Sequence, residues 1–206
     1  MTDAPGLHDD WDEAYAGPPP PWDIGRPQSA FVRLAEAGAL SGAVLDSGCG
    51  TGEHTILAAR HGGRVLGADV SARAVESARR KAAERGVDAR FEVSDALRLD
   101  SFGPIFDTVI DSGLFHVLDD DERARYVAAL QTVLRPSGHL HLMCFSDRQA
   151  GDWGPRRVAE GELRAAFSEE GWRIESLAPD RFDINPGVGP LTAESWLLDA
   201  VRLPEV

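Results

Sequence analysis

The chain has 206 residues, 43% of them hydrophobic and 27% charged, and its formal net charge is −13. This length suits one domain with a well-buried core and is short for two. No apolar run is long enough to predict a membrane-spanning helix. The acidic charge argues against a nucleic-acid partner, because binding phosphates requires clustered Lys and Arg.

Two features of the sequence predict a cytoplasmic protein. The N-terminus carries no basic segment followed by an apolar stretch, so no signal peptide is predicted. The two cysteines, Cys49 and Cys144, are too few for a disulfide framework and fit a reducing compartment. We expect no membrane partner, and the sequence leaves the oligomeric state open.

The stretch "GPPPPWDIGRPQ", residues 17–28, separates the N-terminus from the rest of the chain. Four consecutive prolines, Pro18 to Pro21, cannot continue a helix or pair in a central strand, so they predict a stiff, extended segment. We therefore divide the chain into an N-terminal arm, residues 1–28, and one folded domain, residues 29–206.

Helices and strands alternate after the arm, as the spacing of the apolar residues indicates. Ser29 is suited to cap the first helix, and glycines end several of the others. The predicted helices are residues 29–40, 53–62, 71–86, 119–138 and 162–172. The predicted strands are residues 43–48, 64–70, 89–96, 105–113, 139–145, 173–184 and 194–203.

This alternation predicts an α/β fold. Helices between successive strands imply right-handed βαβ crossovers and a mainly parallel sheet that is covered on both faces. The last two strands, separated by "NPGVGP", suit an antiparallel hairpin at the edge of the sheet. We expect a Rossmann-like, doubly wound, seven-stranded sheet with that hairpin at the C-terminus.

Ligands bind such a sheet beyond the carboxyl ends of its strands. Four successive strands end in acidic or glycine residues, namely Asp46 with the loop 48–52, Asp69, Ser94 with Asp95, and Asp111 with Ser112. Asp69 lies nineteen residues after Gly50, close to the spacing of about 20 at which an acid reaches the ribose hydroxyls of a nucleotide. Asp69 alone is equally suited to cap the next helix. The combination of all four strand ends favours a nucleoside site.

The glycine loop also distinguishes between cofactors. The dinucleotide fingerprint requires Gly or Ala at its sixth position, and this sequence has Glu53 there. An anionic side chain disfavours a diphosphate and is compatible with a nucleoside that carries no phosphate. The sequence has no GxxxxGK[ST] motif, which argues against a P-loop.

Taken together, these motifs resemble those of class I S-adenosylmethionine-dependent methyltransferases. "VLDSGCGTGEHT" resembles their glycine-rich motif, "VLGADVS" their ribose-binding strand, "VSDAL" their adenine-contacting loop and "FDTVIDSGLFHVL" their fourth motif, so the likeness spans residues 42–145. Ser47 departs from the acidic or aliphatic residue of many members. The proline arm and "DWGPRRV" are similar to small bacterial thiopurine, thiol, halide and benzoquinone methyltransferases and to mycobacterial heterocyclic-toxin methyltransferases.

The resemblance implies S-adenosylmethionine as the cofactor and S-adenosylhomocysteine as its product. It implies that Gly48 and Gly50 lie along the methionine and ribose, that Asp69 binds the ribose hydroxyls, and that Asp95 lies at the adenine edge. Asp111 and Ser112 would lie near the methionine amino group or at the mouth of the active site. The full predicted cofactor-binding set is Trp22, Arg26, Asp46, Gly48, Cys49, Gly50, Asp69, Val70, Ser94, Asp95, Ala96, Asp111 and Ser112.

On the acceptor side, His116 is the predicted general base, because it follows Asp111 by one short turn and histidine titrates near neutral pH. The alternative is that "LFHVL" is a packing turn whose Phe115 and His116 form a wall of the pocket. The predicted substrate-binding residues are Tyr15, Trp22, Phe115, His116 and Trp153.

A His-x-His pattern at His139 and His141 is the only hint of a metal site in the sequence. Both side chains project from one face of a predicted strand, but two ligands do not complete a coordination shell. We therefore predict no metal.

The arm is predicted to be a lid, because Trp11, Tyr15 and Trp22 form the aromatic-rich stretch outside the βαβ core. A stiff spacer lowers the entropy cost of holding Trp22 over the cofactor's sulfonium, which an indole face attracts. Arg26 and Gln28 would pin the arm or bind a carboxylate. The alternative is that Trp22 only anchors the arm on the sheet.

The sequence thus predicts transfer of a methyl group to an O, N or S atom of a small aromatic or heterocyclic molecule. Hydroxyquinolones, quinones and thiols are the expected acceptor classes, and detoxification is the expected role. Two alternatives stay open at this point. One is an NAD(P)-dependent oxidoreductase, and the other is a protein that binds the cofactor without turnover.

Overall fold

Seven strands form one sheet in the computed structural model, which describes residues 7–103, 105–185 and 191–204. The strands are β1 (Ala43–Ser47), β2 (Arg64–Asp69), β3 (Arg90–Val93), β4 (Phe106–Ser112), β5 (Leu134–Phe145), β6 (Trp172–Asp183) and β7 (Thr192–Arg202). The α-helices are α1 (Leu7–Ala14), α2 (Ser29–Glu36), α3 (Glu53–Arg60), α4 (Ala72–Glu84), α5 (Asp120–Val133) and α6 (Glu160–Ala166). Two 3₁₀ helices span Ala96–Phe102 and Phe115–Val117.

The strand order is β3-β2-β1-β4-β5-β7-β6. The first five strands pair in parallel, whereas β7 is antiparallel to both of its neighbours, β5 and β6. This confirms the predicted mainly parallel sheet with antiparallel pairing at its C-terminal side. The connection predicted to turn the hairpin, residues 186–190, lies outside the described residues. Because the order reverses at β1 and β4, the expected ligand crevice lies beyond the carboxyl ends of these two strands.

Both faces of the sheet are covered, and β1 is buried at every position. Val44 belongs to the apolar cluster that includes Phe31 of α2. The next residue, Leu45, belongs to a different cluster that includes Tyr126 of α5 and Trp172 of β6. Successive side chains of a strand point to opposite faces, so helices pack on each side of β1 and fix its position at the centre of the molecule.

Side-chain caps begin two of the predicted helices. Ser71 Oγ accepts a hydrogen bond from the backbone N–H of Ala74 at the start of α4. Asp119 and Glu122 form a reciprocal capping box at the start of α5. Such caps satisfy backbone N–H groups that have no partner within the helix.

Several predicted boundaries are wrong. Gln28, not Ser29, precedes the first turn of α2, and the Ser29 hydroxyl instead donates to Asp183. Helix α5 ends at Val133 rather than at residue 138, and β5 begins at once with Leu134. The physical reason is local, since a residue that precedes a proline disfavours helical backbone angles and Pro136 has no N–H to donate.

Other differences concern short elements. Helix α6 begins and ends earlier than predicted, and β3 is shorter than the predicted strand 89–96. Helix α1 lies in the arm, where no element was predicted. No helix within the described ranges is both long and apolar enough to cross a membrane.

Candidate active site

A cavity of about 560 Å³ opens at the carboxyl ends of β1, β2, β3 and β4, where the sequence predicts the ligand site. Its volume lies within the range of roughly 300–1,000 Å³ that is usual for small-molecule sites. One end is formed by the glycine loop after β1 and by Asp69 of β2, and the other by the aromatic side chains Phe145, Trp153 and Phe182.

The glycine loop requires residues without a side chain. Gly50 and Gly52 have φ angles of +51° and +87°, in the left-handed region that glycine adopts most easily. A Cβ atom at Gly52 would lie 2.8 Å from side-chain atoms of both Ala78 and Phe91. A Cβ atom at Gly50 would lie 3.0 Å from the hydroxyl of Tyr15. The glycine loop therefore packs tightly against Ala78, Phe91 and Tyr15, and its residues line the cavity.

Asp69 lies at the end of β2 and faces the cavity. Its Oδ2 accepts a hydrogen bond from Gly50 N at 2.8 Å, and its Oδ1 accepts one from Ser71 N at 2.9 Å. Burial raises the pKa of this carboxyl group, while the bonds from Ser71 and Gly50 oppose the rise. Asp69 thus ties the glycine loop to the start of α4 and presents an acceptor for hydroxyl groups.

Glu53 lies at the sixth position of the glycine motif, but it does not present a free charge to the cavity. Its carboxylate accepts hydrogen bonds from Lys81 Nζ at 2.9 Å and from Arg85 Nη1 at 2.7 Å. Burial acts to raise its pKa, but the bonds from Arg85 and Lys81 outweigh burial and lower it. The repulsion of a diphosphate expected from Glu53 is therefore weaker than the sequence implies.

The arm lies across the glycine-loop end of the cavity. Trp22 Nε1 donates to the hydroxyl of Tyr15 at 2.9 Å, and the two rings meet edge to face. Trp11 and Trp22 also meet edge to face, with 5.7 Å between the ring centroids. All three aromatic residues line the cavity. We call Trp11, Tyr15 and Trp22 the aromatic cover.

Polar contacts hold the arm on the domain. Asp23 Oδ2 accepts from Thr51 Oγ1 of the glycine loop at 2.8 Å. The Gln28 side chain bonds to both the backbone N–H and the carbonyl of Asp183, and Arg26 pairs with the Asp183 carboxylate. The proline segment lies outside helices and strands and ends in a turn that Asp23 N closes on the Pro20 carbonyl. The prediction that Arg26 and Gln28 pin the arm is confirmed.

Aromatic side chains form the other end of the cavity. Phe145 at the end of β5 contacts Trp153 and Phe182 edge to face, at centroid separations of 5.7 and 5.4 Å. Arg157 lies over the rings of Phe145 and Trp153. Its guanidinium also donates to the carbonyls of Pro155 and Trp153, both at 2.6 Å. Arg157 therefore organises the loop that carries Trp153. We call His116, Phe145, Trp153 and Phe182 the acceptor chamber, after the role predicted for this end of the cavity.

His116 is buried in the wall of the acceptor chamber, and its hydrogen bonding opposes the predicted role of general base. Nδ1 accepts a hydrogen bond from the backbone N–H of Phe145 at 2.9 Å. An imidazole whose Nδ1 accepts carries its proton on Nε2 when neutral. Burial, together with the nearby charges of Arg123 and Arg157, lowers the pKa of His116 to about 3. The ring is therefore a neutral donor.

Three predicted site residues lie behind the wall of the cavity. The Asp46 carboxylate accepts from Thr55 Oγ1 at 2.6 Å, and that of Asp111 accepts from the backbone N–H groups of Leu114 and Phe115. The ring of Phe115 is buried against Phe167. None of Asp46, Asp111 and Phe115 is among the described residues that line the cavity. Their predicted ligand contacts are corrected to structural ones, because alternation along β1 and β4 turns both carboxylates into the core.

A protein-family model described as a methyltransferase domain matches residues 44–138. A 2-heptyl-1-hydroxyquinolin-4(1H)-one methyltransferase of Mycobacteroides abscessus is 32% identical over 190 residues, which cover 87% of this chain and 83% of that protein. The chain belongs to the methyltransferase family. S-Adenosylmethionine is the methyl donor of this family.

Two further relatives match the methyltransferase over most of its length. A probable thiol methyltransferase 2 of Arabidopsis thaliana is 24% identical, covering 90% of this chain and 83% of that protein. A solved structure from work on the conversion of a disulfide bond into a thioacetal group during echinomycin biosynthesis has a TM-score of 0.87 and 37% identity. The match covers 96% of this chain and 92% of that one. Neither these relatives nor the described part of the site favours an NAD(P)-dependent oxidoreductase.

The structure brings most of the predicted residues of the methyltransferase to one cavity. Those that line it are Tyr15, Trp22, Arg26, Gly48, Cys49, Gly50, Asp69, Val70, Ser94, Asp95, Ala96, Ser112, His116 and Trp153. Tyr15 was predicted to contact substrate, but it lies over Gly50, at the glycine-loop end.

Sequence reasoning missed Phe182 and Ile184 at the end of β6. Strand β6 runs antiparallel to β7, which runs antiparallel to β5, so β6 is parallel to β5 and ends at the same rim. The "FDI" stretch at the end of the predicted strand 173–184 was the available signal. This signal points to the cavity only once the order of β6 and β7 in the sheet is known.

Proposed function

We propose that this methyltransferase transfers the methyl group of S-adenosylmethionine to an O, N or S atom of a small aromatic or heterocyclic molecule. One observation carries the proposal: a single cavity joins the glycine loop and Asp69 to the acceptor chamber. An aromatic wall favours flat, apolar acceptors, which stack on or meet the edges of its rings. Two relatives support this proposal, since one is named for a hydroxyquinolone and the other is named as a probable thiol methyltransferase.

The residues at the glycine-loop end fit the cofactor. Gly48 and Gly50 let the backbone approach a ligand closely, and the Asp69 carboxylate offers an acceptor to a ribose diol. Val70 and Asp95 line the neighbouring wall, where we place the adenine. S-Adenosylmethionine supplies a methyl group already activated by its sulfonium, so the protein mainly needs to align the acceptor and exclude water.

We propose that residues 1–28 act as the lid predicted from the sequence, with the aromatic cover as its inner face. Residues 1–6 lie outside the described part of the chain. The arm contacts the glycine loop through Tyr15 of the cover and through Asp23, next to where the cofactor would lie. Aromatic faces attract a cation, so the cover would bind S-adenosylmethionine more tightly than a neutral analogue.

In the acceptor chamber, His116 acts as a hydrogen-bond donor through Nε2–H. Gly113 lies beside Nε2, which a Cβ at this glycine would approach to 3.3 Å. The chamber therefore favours acceptors that present an ionised oxygen or a soft sulfur, because these need no base within the protein. Capping such an atom with a methyl group makes an acidic or nucleophilic compound less reactive, which supports a role in detoxification.

We place the enzyme in the cytoplasm without a nucleic-acid partner. Cys49 and Cys144 are buried free thiols, as expected in a reducing compartment. The net charge of −13 opposes phosphate binding.

Calorimetry and a transfer assay test the proposal. We expect the protein to bind S-adenosylmethionine, and Asp69→Asn to weaken binding about 10-fold or more, since one charged acceptor is lost. Asp88→Asn, at an exposed position after α4, is the matched control and should bind like the wild type. Radiolabelled methyl transfer would then be measured to a 2-alkyl-1-hydroxyquinolin-4-one, an aryl thiol and iodide. Absence of binding at millimolar cofactor would overturn the proposal, and binding without transfer to any acceptor would leave a non-catalytic protein.

A further inference from the structure

Three metal-ligating side chains meet at the end of the sheet opposite the cofactor site. His139 and His141 project from the same face of β5, and Asp199 of β7 is the direct cross-strand partner of His141. They line a cleft of about 440 Å³ with Ser41 and Gly42, which precede β1. The amino ends of the parallel strands lie here, so the cleft is separate from the active-site cavity.

The spacing of these groups suits one ion. His139 Nδ1 lies 3.0 Å from Asp199 Oδ1, and His141 Nδ1 lies 3.6 Å from the same oxygen. One ligand atom from each of the three residues lies within 4.8 Å of the others. Two ligands of one tetrahedral zinc ion, each about 2.0–2.2 Å from the metal, are separated by roughly 3.3–3.6 Å. Small rotations of these side chains would therefore bring all three ligand atoms within coordination distance of one ion.

His141 provides a second, independent observation. Its side chain is only 3% exposed, and neither ring nitrogen has a hydrogen bond of normal geometry among the described residues. Its polar neighbours are Asp199 and the backbone of Ala39. Burying an imidazole whose nitrogens lack hydrogen bonds lowers the free energy of unfolding, unless a ligand in the cleft bonds to one of these nitrogens.

The remaining carboxylate of the cleft is already engaged. Asp107 lines the cleft, but it accepts a hydrogen bond from the backbone N–H of Ala43 and pairs with Arg135. The cleft thus offers two imidazoles and the Asp199 carboxylate, which is hydrogen-bonded to His139 Nδ1, with room for water to complete a coordination shell.

We propose that His139, His141 and Asp199 form a binding site for a divalent transition-metal ion of the zinc class. Two nitrogen ligands and one oxygen ligand suit zinc, cobalt or nickel, whereas magnesium and calcium prefer oxygen alone. The backbone of Ala39 lies beside His141. Backbone contacts of this kind fix the orientation of a metal-bound imidazole. The bound ion would link β5 to β7, where the parallel part of the sheet meets the antiparallel part.

Metal titration of chelator-treated protein tests this site. We expect one zinc ion per chain by calorimetry, no binding of magnesium, and a rise in melting temperature of more than about 3 °C at saturating zinc. Cobalt should give the visible absorption of a four-coordinate ion. Asp199→Asn and His139→Ala should each weaken zinc binding by about 100-fold or more.

His61→Ala is the matched control, because His61 is an exposed histidine at the end of α3. It should bind zinc like the wild type. The His139 side chain is half-exposed, so we expect His139→Ala to fold and to test the site even if Asp199→Asn does not fold. Absence of zinc binding at micromolar protein, or equal binding in His139→Ala and the wild type, would overturn the proposal. Binding of S-adenosylmethionine, measured separately, does not bear on this outcome.

Discussion

At the scale of single residues, hydrogen bonding to the backbone decides what two histidines can do. His116 Nδ1 accepts from Phe145 N, and His54 Nε2 accepts from Gln28 N at 3.0 Å. Burial lowers the pKa of His54 to about 4 and, with the charges of Arg123 and Arg157, that of His116 to about 3. Both rings therefore stay neutral at physiological pH. Sequence position suggested a base at His116, whereas its surroundings make it a donor.

Two amide variants, each of which reproduces one ring nitrogen of the imidazole, distinguish a donor from a base at His116. In His116→Asn the amide oxygen reaches the Nδ1 position and keeps the bond to Phe145, but the donor toward the chamber is lost. We expect kcat to fall about 10- to 100-fold with unchanged affinity for S-adenosylmethionine. In His116→Gln the amide reaches the Nε2 position, so it should retain more activity than His116→Asn.

The pH dependence of the wild-type enzyme completes this test. With His116 as a donor, kcat between about pH 5 and 9 should follow only the ionisation of the acceptor. If kcat instead shows an ionisation near pH 6 to 7 that disappears in His116→Asn, whichever acceptor is used, His116 acts as a general base.

At the scale of elements, the N-terminal arm is held at both ends. Asp12 of α1 accepts from Ser71 Oγ and from Arg73 N at the start of α4. Farther along, Gln28 and Arg26 bind Asp183 at the end of β6. The aromatic cover lies between these anchors. The arm thus spans from the glycine-loop end of the cavity to its aromatic end, which suits the proposed lid if it opens by releasing one anchor.

Removing the indole tests the lid. Trp22→Ala should weaken binding of S-adenosylmethionine by about 2- to 30-fold, which corresponds to a cation–π contribution of roughly 0.5–2 kcal/mol. Trp22→Phe keeps an aromatic face but loses the bond to Tyr15, so it should lie between Trp22→Ala and the wild type. Calorimetry with S-adenosylmethionine and the neutral product separates the charge effect from packing. An unchanged affinity in a folded Trp22→Ala variant would show that Trp22 only anchors the arm.

At the scale of the whole molecule, opposite pKa shifts in the core make opposing contributions to the dependence of stability on pH. The pKa values of His54 and His116 are lowered in the folded protein, so below about pH 6.5 the unfolded chain binds more protons than the folded protein. The stability that these two residues contribute is therefore lost as the pH falls below about 6.5. Burial raises the pKa of Asp46 and Asp111 to about 7. Their contribution is lost in the opposite direction, as pH rises from about 4 to 7.

Replacing Asp46 isolates one of these contributions. In Asp46→Asn the amide oxygen still accepts from Thr55, but no charge forms in the core. The free energy of unfolding of this variant, relative to wild type, should rise between about pH 4 and 7 by roughly 2–4 kcal/mol and then level off. Urea unfolding followed by circular dichroism at several pH values measures it. A difference that does not vary with pH would mean that Asp46 ionises normally.

The sequence by itself determined the alternation of strands and helices, the glycine loop and the position of Asp69. These depend on local signals, namely apolar spacing, caps and a backbone that only glycine adopts, so neighbouring residues suffice to predict them. The caps at Ser71 and Asp119 are of this kind, whereas the end of α5 at Val133 shows that a proline can outweigh helical spacing.

Only the tertiary structure decided which side chains meet across the sheet. Insertion of β7 between β5 and β6 brings Phe182 to the acceptor chamber and Asp199 to His139 and His141. In the chain, 60 residues separate His139 from Asp199. Strand pairing of this kind depends on the packing of the entire sheet. Burial likewise turned Asp46 and Asp111 from expected ligands into core residues, because the direction in which a carboxylate points depends on which face its neighbours cover.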